Sequence, residues 1–107
     1  METMFTFRNI ESTEGLRNHT EEKLLKLKKY CLKPESTHII LHVDKHHSHR
    51  AEITLVDHGE HYISHADSSD MYASIDQAIS KLEAQLRRKK DRQKHHKGHI
   101  STSGLPT

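Results

Sequence analysis

Residues 70–97 read DMYASIDQAISKLEAQLRRKKDRQKHHK, and this stretch decides how the rest of the chain is arranged. Its first half is amphipathic, because apolar side chains recur every three or four residues and so share one face of a helix. These side chains are Met71, Ile75, Ile79, Leu82 and Leu86. The pattern predicts a long helix over 70–97. Asp70 suits its N-cap, since a carboxylate there accepts hydrogen bonds from free N–H groups of the first turn.

The charge of this helix reverses midway. Residues 81–97 contain eight Lys or Arg against two Asp or Glu, a balance of +6, whereas residues 1–80 contain nine against thirteen, a balance of −4. An anchored basic helix suits a polyanion, because Lys and Arg neutralise phosphates and release counterions. The alternative is a solvated helix end that complements the helix dipole. The excess of basic residues favours nucleic acid.

Composition bounds the remaining possibilities. A chain of 107 residues with 32% hydrophobic residues indicates one domain with a thin core. We find neither a signal-peptide pattern nor a transmembrane run, so we expect a cytoplasmic protein with no membrane contact. The single Cys31 excludes an internal disulfide, and we interpret it as a small core residue. No Gly-rich phosphate loop or Gly-x-Ser-x-Gly elbow occurs, so we predict no enzyme, no catalytic residue and no cofactor.

The order of elements is β-α-β-β-β-α. Alternating apolar residues predict strands over residues 4–8, 37–45, 50–56 and 61–66. The first helix begins after Ser12 or Thr13 as N-cap and runs to about Leu32, with Pro34 ending it. A helix between the first two strands requires a parallel crossover, and the later strands meander antiparallel. We therefore predict an α+β fold, a four-stranded mixed sheet with both helices on one face.

The last three strands and the final helix, with the helix before them, follow the order of elements in double-stranded-RNA-binding domains, which is only an analogy of topology. Because both helices cover one face, their basic ends can form one surface.

Twelve histidines are unusual in a chain of this length. No Cys pair or His-x-x-Glu-His spacing accompanies them, so we predict no metal site and place them in loops and on an open sheet face. Protonating all of them would raise the formal charge from +2 to +14. Affinity for a polyanion should then increase as the pH falls through about 6.5. A metal-buffering protein built on these histidines is a further hypothesis.

The start of the second helix resembles the bacterial ribosome hibernation promoting factor and ribosome-associated inhibitor (protein Y) family. The matching motif is Asp-Met-Tyr-x-x-Ile-Asp at 70–76, followed by Lys-Leu-x-x-Gln-Leu at 81–86 and then basic residues. The similarity extends upstream to 10–17, 22–27, 38–41 and 51–55, and covers about residues 4–94.

The resemblance implies a domain that binds the small ribosomal subunit between head and body, where messenger RNA and the A- and P-site transfer RNAs bind. It would block translation in stress or stationary phase. The family's basic positions correspond to Lys23, Lys26, Lys81, Arg88 and Lys90. To these we add the neighbouring Arg87 and Arg92 as predicted RNA-binding residues. Tyr72 matches the motif tyrosine, and we expect it to pack the helix start against the sheet.

We accordingly expect residues 1–94 to form the ribosome-binding domain and residues 95–107 a flexible tail containing histidines. The chain resembles short family members, which lack a C-terminal dimerisation domain, so we expect a monomer when free. Some short members act together with a ribosome modulation factor, and the short, non-acidic tail slightly favours that group. The alternative function is a general RNA-binding module that is not specific to ribosomes.

Overall fold

The computed structural model describes the backbone of residues 2–102 and the side chains of residues 2–92. The strands are β1 Glu2–Arg8, β2 Pro34–Val43, β3 His49–Asp57 and β4 Glu60–Ser68. The helices are α1 Glu14–Leu25 and α2 Met71–Thr102, with a short 3₁₀ turn at Lys28–Tyr30. The predicted β-α-β-β-β-α order is confirmed.

The four strands form one mixed sheet in the order β1-β2-β3-β4. β1 pairs with β2 in parallel, and the other two pairs are antiparallel, as predicted. The inward row Phe5, Ile39, Ile53 and Ser64 runs across all four strands. Leucine and isoleucine side chains of both helices pack with this side of the sheet in one core, so both helices cover the same face.

α1 is shorter than predicted. The N–H of Lys26 bonds to the carbonyl of Lys23, and the N–H of Leu27 bonds to that of Leu24. These three-residue steps tighten the last turn and lead into the 3₁₀ turn. The apolar spacing did not predict where α1 ends, because Leu24 and Leu27 lie on one face of an α-helix and also on one face of a 3₁₀-helix. Pro34 does not end the helix but begins β2, a strand position that needs no N–H donor.

The other bounds differ by a few residues. β4 begins and ends beyond the predicted 61–66, and α2 continues past residue 97 to Thr102. Gly98 does not stop the helix, in keeping with its interior cost of only about 1 kcal/mol. The predicted tail, residues 95–107, is therefore helical as far as Thr102, and residues 103–107 lie outside the described residues.

The local signals at the element ends are largely confirmed. Thr13 caps α1, since its Oγ1 accepts from the N–H of Leu16 at 3.1 Å. Asp70 caps α2, since its Oδ2 accepts from the N–H of Ala73 at 3.1 Å. The β3–β4 hairpin turns at His58 and Gly59, where φ is 51° and 81°. Positive φ at both central positions defines a type I′ turn, which suits the twist of the flanking strands.

Candidate nucleic-acid interface

The two helices run in the same direction, and their basic ends meet at one end of the molecule. Near their starts, Nε2 of His19 and Oδ1 of Asp76 are 2.7 Å apart. Near their ends, Nζ of Lys90 donates to the carbonyl of Lys29 at 2.9 Å. This end, which we name the basic pole, is formed by Lys23, Lys26, Lys28, Lys29, Arg87, Arg88, Lys90 and Arg92. Lys23, in the last turn of α1, also suits the negative end of that helix dipole.

A groove of about 230 Å³ lies between α1 and α2. It is lined by Lys23, Lys26, Leu27, Asp76, Ile79, Ser80 and Glu83. Both acids in it have partners, since Asp76 contacts His19 and Glu83 accepts from the Tyr30 hydroxyl at 3.3 Å. The cations that border the groove therefore have fewer partners than its acids. Such cations can bind phosphate oxygens.

Four of the seven predicted RNA-binding residues lie on this α1 side. Lys26 and Arg87 are exposed, and Lys23 is partly buried along the groove. Residues 76, 83, 87 and 90 follow one stripe of α2, because they are separated by seven, four and three positions. The Nζ atom of Lys90 reaches across to the 3₁₀ turn that follows α1 and lies 5.8 Å from the Tyr30 ring centroid. The predicted joint surface of both helices therefore exists on this side.

The other three predicted residues follow the opposite side of α2. Lys81, Arg88 and Arg92 share a stripe with Gln85, at separations of four, three and four positions. Both Lys81 and Gln85 reach the outer edge of β4, which shows that this stripe faces away from α1. The seven predicted residues therefore do not form a single stripe: Lys23 and Lys26 belong to the α1 segment, and the other five are divided between two flanks of α2.

Lys81 has a structural contact that the sequence does not reveal. Its Nζ donates to the carbonyl of His65 at 2.9 Å, and Nε2 of Gln85 donates to the carbonyl of Ile63 at 2.8 Å. These bonds satisfy carbonyl groups on the outer edge of β4 and make that edge a poorer template for another strand. Phosphate binding by Lys81 would compete with this contact, so Lys81 is a weaker RNA-binding candidate than the exposed Arg87.

Tyr72 packs differently from our expectation. Its ring lies edge-on to His19 of α1, with 5.0 Å between ring centroids, and remains 41% exposed. Its hydroxyl lies close to Gly15, where a Cβ atom would come within 2.7 Å of it. Tyr72 therefore packs the start of α2 against α1 and not against the sheet. The sequence pattern could not distinguish packing against α1 from packing against the sheet, because both surfaces flank the start of α2.

Asp57 is a functional part of the fold that the sequence analysis missed. It lies just beyond the predicted strand 50–56, yet it is buried, and its two carboxylate oxygens accept from the N–H groups of Leu32 and Lys33 at 3.0 and 2.7 Å. It thereby holds the loop that follows the 3₁₀ turn against the end of β3. Burial, and secondarily the charge of Asp57, raise the pKa of the Cys31 thiol to about 11. A protonated, partly buried thiol fits the predicted packing role of Cys31.

Most histidines with described side chains lie in loops or on the sheet, as predicted, but His19 lies on α1. His46 and His47 lie in the β2–β3 turn, and one histidine, His19, contacts α2. The face of the sheet away from the helices carries His38, His42, His61 and His65. His38 Nε2 is 2.8 Å from the Thr6 hydroxyl. Within residues 2–92 we find no cluster of three potential metal ligands. Nor does a helix in the described part have the length and apolarity to cross a membrane.

The comparisons with known proteins agree with this architecture. A Salmonella typhimurium (strain LT2) protein named ribosome hibernation promoting factor is 38% identical over 96 residues, covering 90% of this chain and 100% of that protein. The Escherichia coli K12 protein of the same name is 36% identical with the same coverage.

Two solved structures have the same fold. The N-terminal domain of Thermus thermophilus Protein Y superposes with a TM-score of 0.74 at 31% identity, covering 82% of this chain and 98% of that one. A Coxiella burnetii protein described as a ribosomal subunit interface protein gives 0.74 at 27% identity, covering 85% of this chain and 99% of that one. The family model described as Sigma 54 modulation protein / S30EA ribosomal protein matches residues 3–94, and the chain belongs to that family.

Proposed function

We propose that this protein binds the small ribosomal subunit and occludes the channel used by messenger RNA and by the A- and P-site transfer RNAs. Translation would then stop in stress or stationary phase, which is ribosome hibernation. The observation that carries the proposal is the basic pole, where the Lys90 bond to Lys29 joins α2 to the 3₁₀ turn that follows α1. The names of the relatives, ribosome hibernation promoting factor, support the hibernation part of this proposal.

The proposed mechanism requires RNA binding and steric exclusion, and it needs no catalytic step. The cations of the basic pole are presented by two helices that pack on one sheet, so their spacing is set before RNA arrives. Preorganised cations lose little conformational freedom on binding phosphates. The folded body then occupies space that the transfer RNAs require. Recognition of this kind depends on RNA shape and phosphate positions more than on base identity.

Reversing one exposed cation tests this proposal. Arg87→Glu should weaken binding to purified small subunits and reduce the dependence of log K on log salt by roughly one, because one phosphate contact is lost. Adding Lys26→Glu should weaken binding further. The matched control is Lys45→Glu, an equal change of charge in the exposed β2–β3 turn, far from the basic pole. That control should bind like the wild type.

The assay is co-sedimentation with small subunits, large subunits and bulk transfer RNA, with transfer RNA then added as competitor. Saturable one-to-one binding to small subunits, reduced by bound transfer RNA, is the expected result. Equal and unsaturable binding to all three would instead indicate a general RNA-binding module. Adding a ribosome modulation factor to the same subunits would show whether the two proteins act together.

A further inference from the structure

The two edges of the sheet differ in how they are protected. At the β4 edge, Lys81 and Gln85 bond to outward carbonyl groups, and Lys89 forms an ion pair with Glu60. At the other edge β1 pairs with β2 alone, and no strand lies beyond it among residues 2–102. A seven-residue edge strand without proline is a surface on which another strand can pair.

The charges of β1 are arranged for pairing with an identical strand. Glu2 and Arg8 are exposed at its two ends, and neither has an ion-pair partner within residues 2–92. An antiparallel pair of β1 strands centred on Phe5 aligns all seven residues of each strand. In that register each Glu2 lies opposite Arg8 of the second copy, and this happens twice because of the two-fold symmetry.

We propose that β1 is a homodimerisation edge, where two copies of this chain pair their β1 strands antiparallel about Phe5 and join their sheets into one. Two symmetric Glu2–Arg8 pairs select this register, since opposite charges directly across a strand pair are favourable and like charges are not. The interface is isologous, as expected for a two-fold dimer.

On the face of the sheet that the helices cover, the same register also brings complementary groups of the two copies together. A groove of about 440 Å³ lies beside β1 and is lined by Thr3, Asn18, Glu21, Glu22, Leu24, Leu25 and Lys28. In the proposed register Thr3 lies opposite Phe7 of the second copy. In each chain the guanidinium of Arg17 lies 5.4 Å from the Phe7 ring centroid. Pairing therefore brings the second copy's Arg17 toward the two acids of this groove and covers Leu25, which is 59% exposed in one copy.

The charge of this edge favours a second copy over RNA. The groove beside β1 has two acids and one lysine in its lining, so it does not attract a polyanion. In the antiparallel dimer the two basic poles would lie at opposite ends and remain open. The inference goes beyond the proposed function and departs from the monomer expected from the sequence.

Sedimentation velocity and light scattering from low micromolar to near-millimolar concentration test the proposal. We expect a reversible dimer of the wild-type chain, with slower amide exchange in β1 at high than at low concentration. Glu2→Arg alone and Arg8→Glu alone should each raise the dimer Kd roughly tenfold or more, because like charges then face each other twice. The combined variant Glu2→Arg/Arg8→Glu restores the opposite charges and should dimerise like the wild type.

A wild-type chain that stays monomeric over the whole range would overturn the proposal. So would a dimer that the single reversals leave unchanged, because its interface would then lie elsewhere. Unfolding curves of all variants exclude loss of fold as the cause. Small-subunit co-sedimentation separates this result from the proposed function: Arg8→Glu should still bind the subunit, whereas Arg87→Glu should still dimerise.

Discussion

The Asp57 carboxylate is the most informative single group to remove. Asp57 is 4% exposed, and its two oxygens accept from the backbone N–H groups of Lys33 at 2.7 Å and Leu32 at 3.0 Å. Asp57→Ala leaves both donors without their acceptor. A hydrogen bond to a charged group contributes about 1.5–3 kcal/mol, so the variant should lose about 3 kcal/mol or more of the free energy of unfolding. That is a large share of the roughly 5–15 kcal/mol typical of a whole domain.

Urea denaturation followed by circular dichroism measures this loss, and the melting temperature should fall by about 12 °C or more. Asp57→Asn keeps one carbonyl oxygen as acceptor and should lose about half as much. The control Asp67→Ala removes an exposed carboxylate whose one described ion pair is with Arg50, and should change the free energy by less than about 1 kcal/mol. If Asp57→Ala costs less than about 1 kcal/mol with an unchanged m-value, the loop is not held by this carboxylate and our reasoning is wrong.

Four further predictions concern Cys31, Gly15 and the β4 edge. The pKa of Cys31 is raised from an ordinary value of 9.0 to about 11, so its thiol should react slowly with iodoacetamide near pH 8 unless urea unfolds the chain. Because the folded state holds that proton more tightly, stability should decrease as the pH rises from 9 to about 11, which denaturation at several pH values can measure. Gly15→Ala should destabilise the wild type, because the Tyr72 hydroxyl would lie 2.7 Å from the new Cβ atom. In a Tyr72→Phe background the same substitution should stabilise the protein by up to about 1 kcal/mol, because alanine favours a helix. Equal changes in the free energy of unfolding in both backgrounds would contradict the contact. Lys81→Ala/Gln85→Ala should aggregate faster than the wild type on warming, measured by light scattering, because two carbonyl groups of the β4 edge lose their caps; unchanged scattering would show that these caps do not protect the edge.

Much of the fold was predictable from local patterns. The alternation in the strands and the apolar steps of α2 predicted the order, the parallel β1–β2 pair and the shared helix face, and the caps Thr13 and Asp70 marked where each helix begins. The end of α1 was not predictable, because a 3₁₀ turn preserves the same apolar spacing. The role of Asp57 was not predictable either, since its donors lie more than twenty positions away in the chain.

The candidate interface shows the limit of counting charges along a sequence. The family resemblance and two neighbouring basic residues indicated seven candidate cations, but only the contacts show what each ammonium or guanidinium group already bonds. Lys90 bonds to the carbonyl of Lys29 and so joins the two helices, whereas Lys81 bonds to the carbonyl of His65 and caps a sheet edge. Exposed Arg87 has neither restraint and shares a helix stripe with Lys90. Reversal of Arg87 should therefore weaken RNA binding without cost to the fold. Reversal of Lys81 should also weaken the β4 edge, so its effect on binding alone cannot identify an RNA contact.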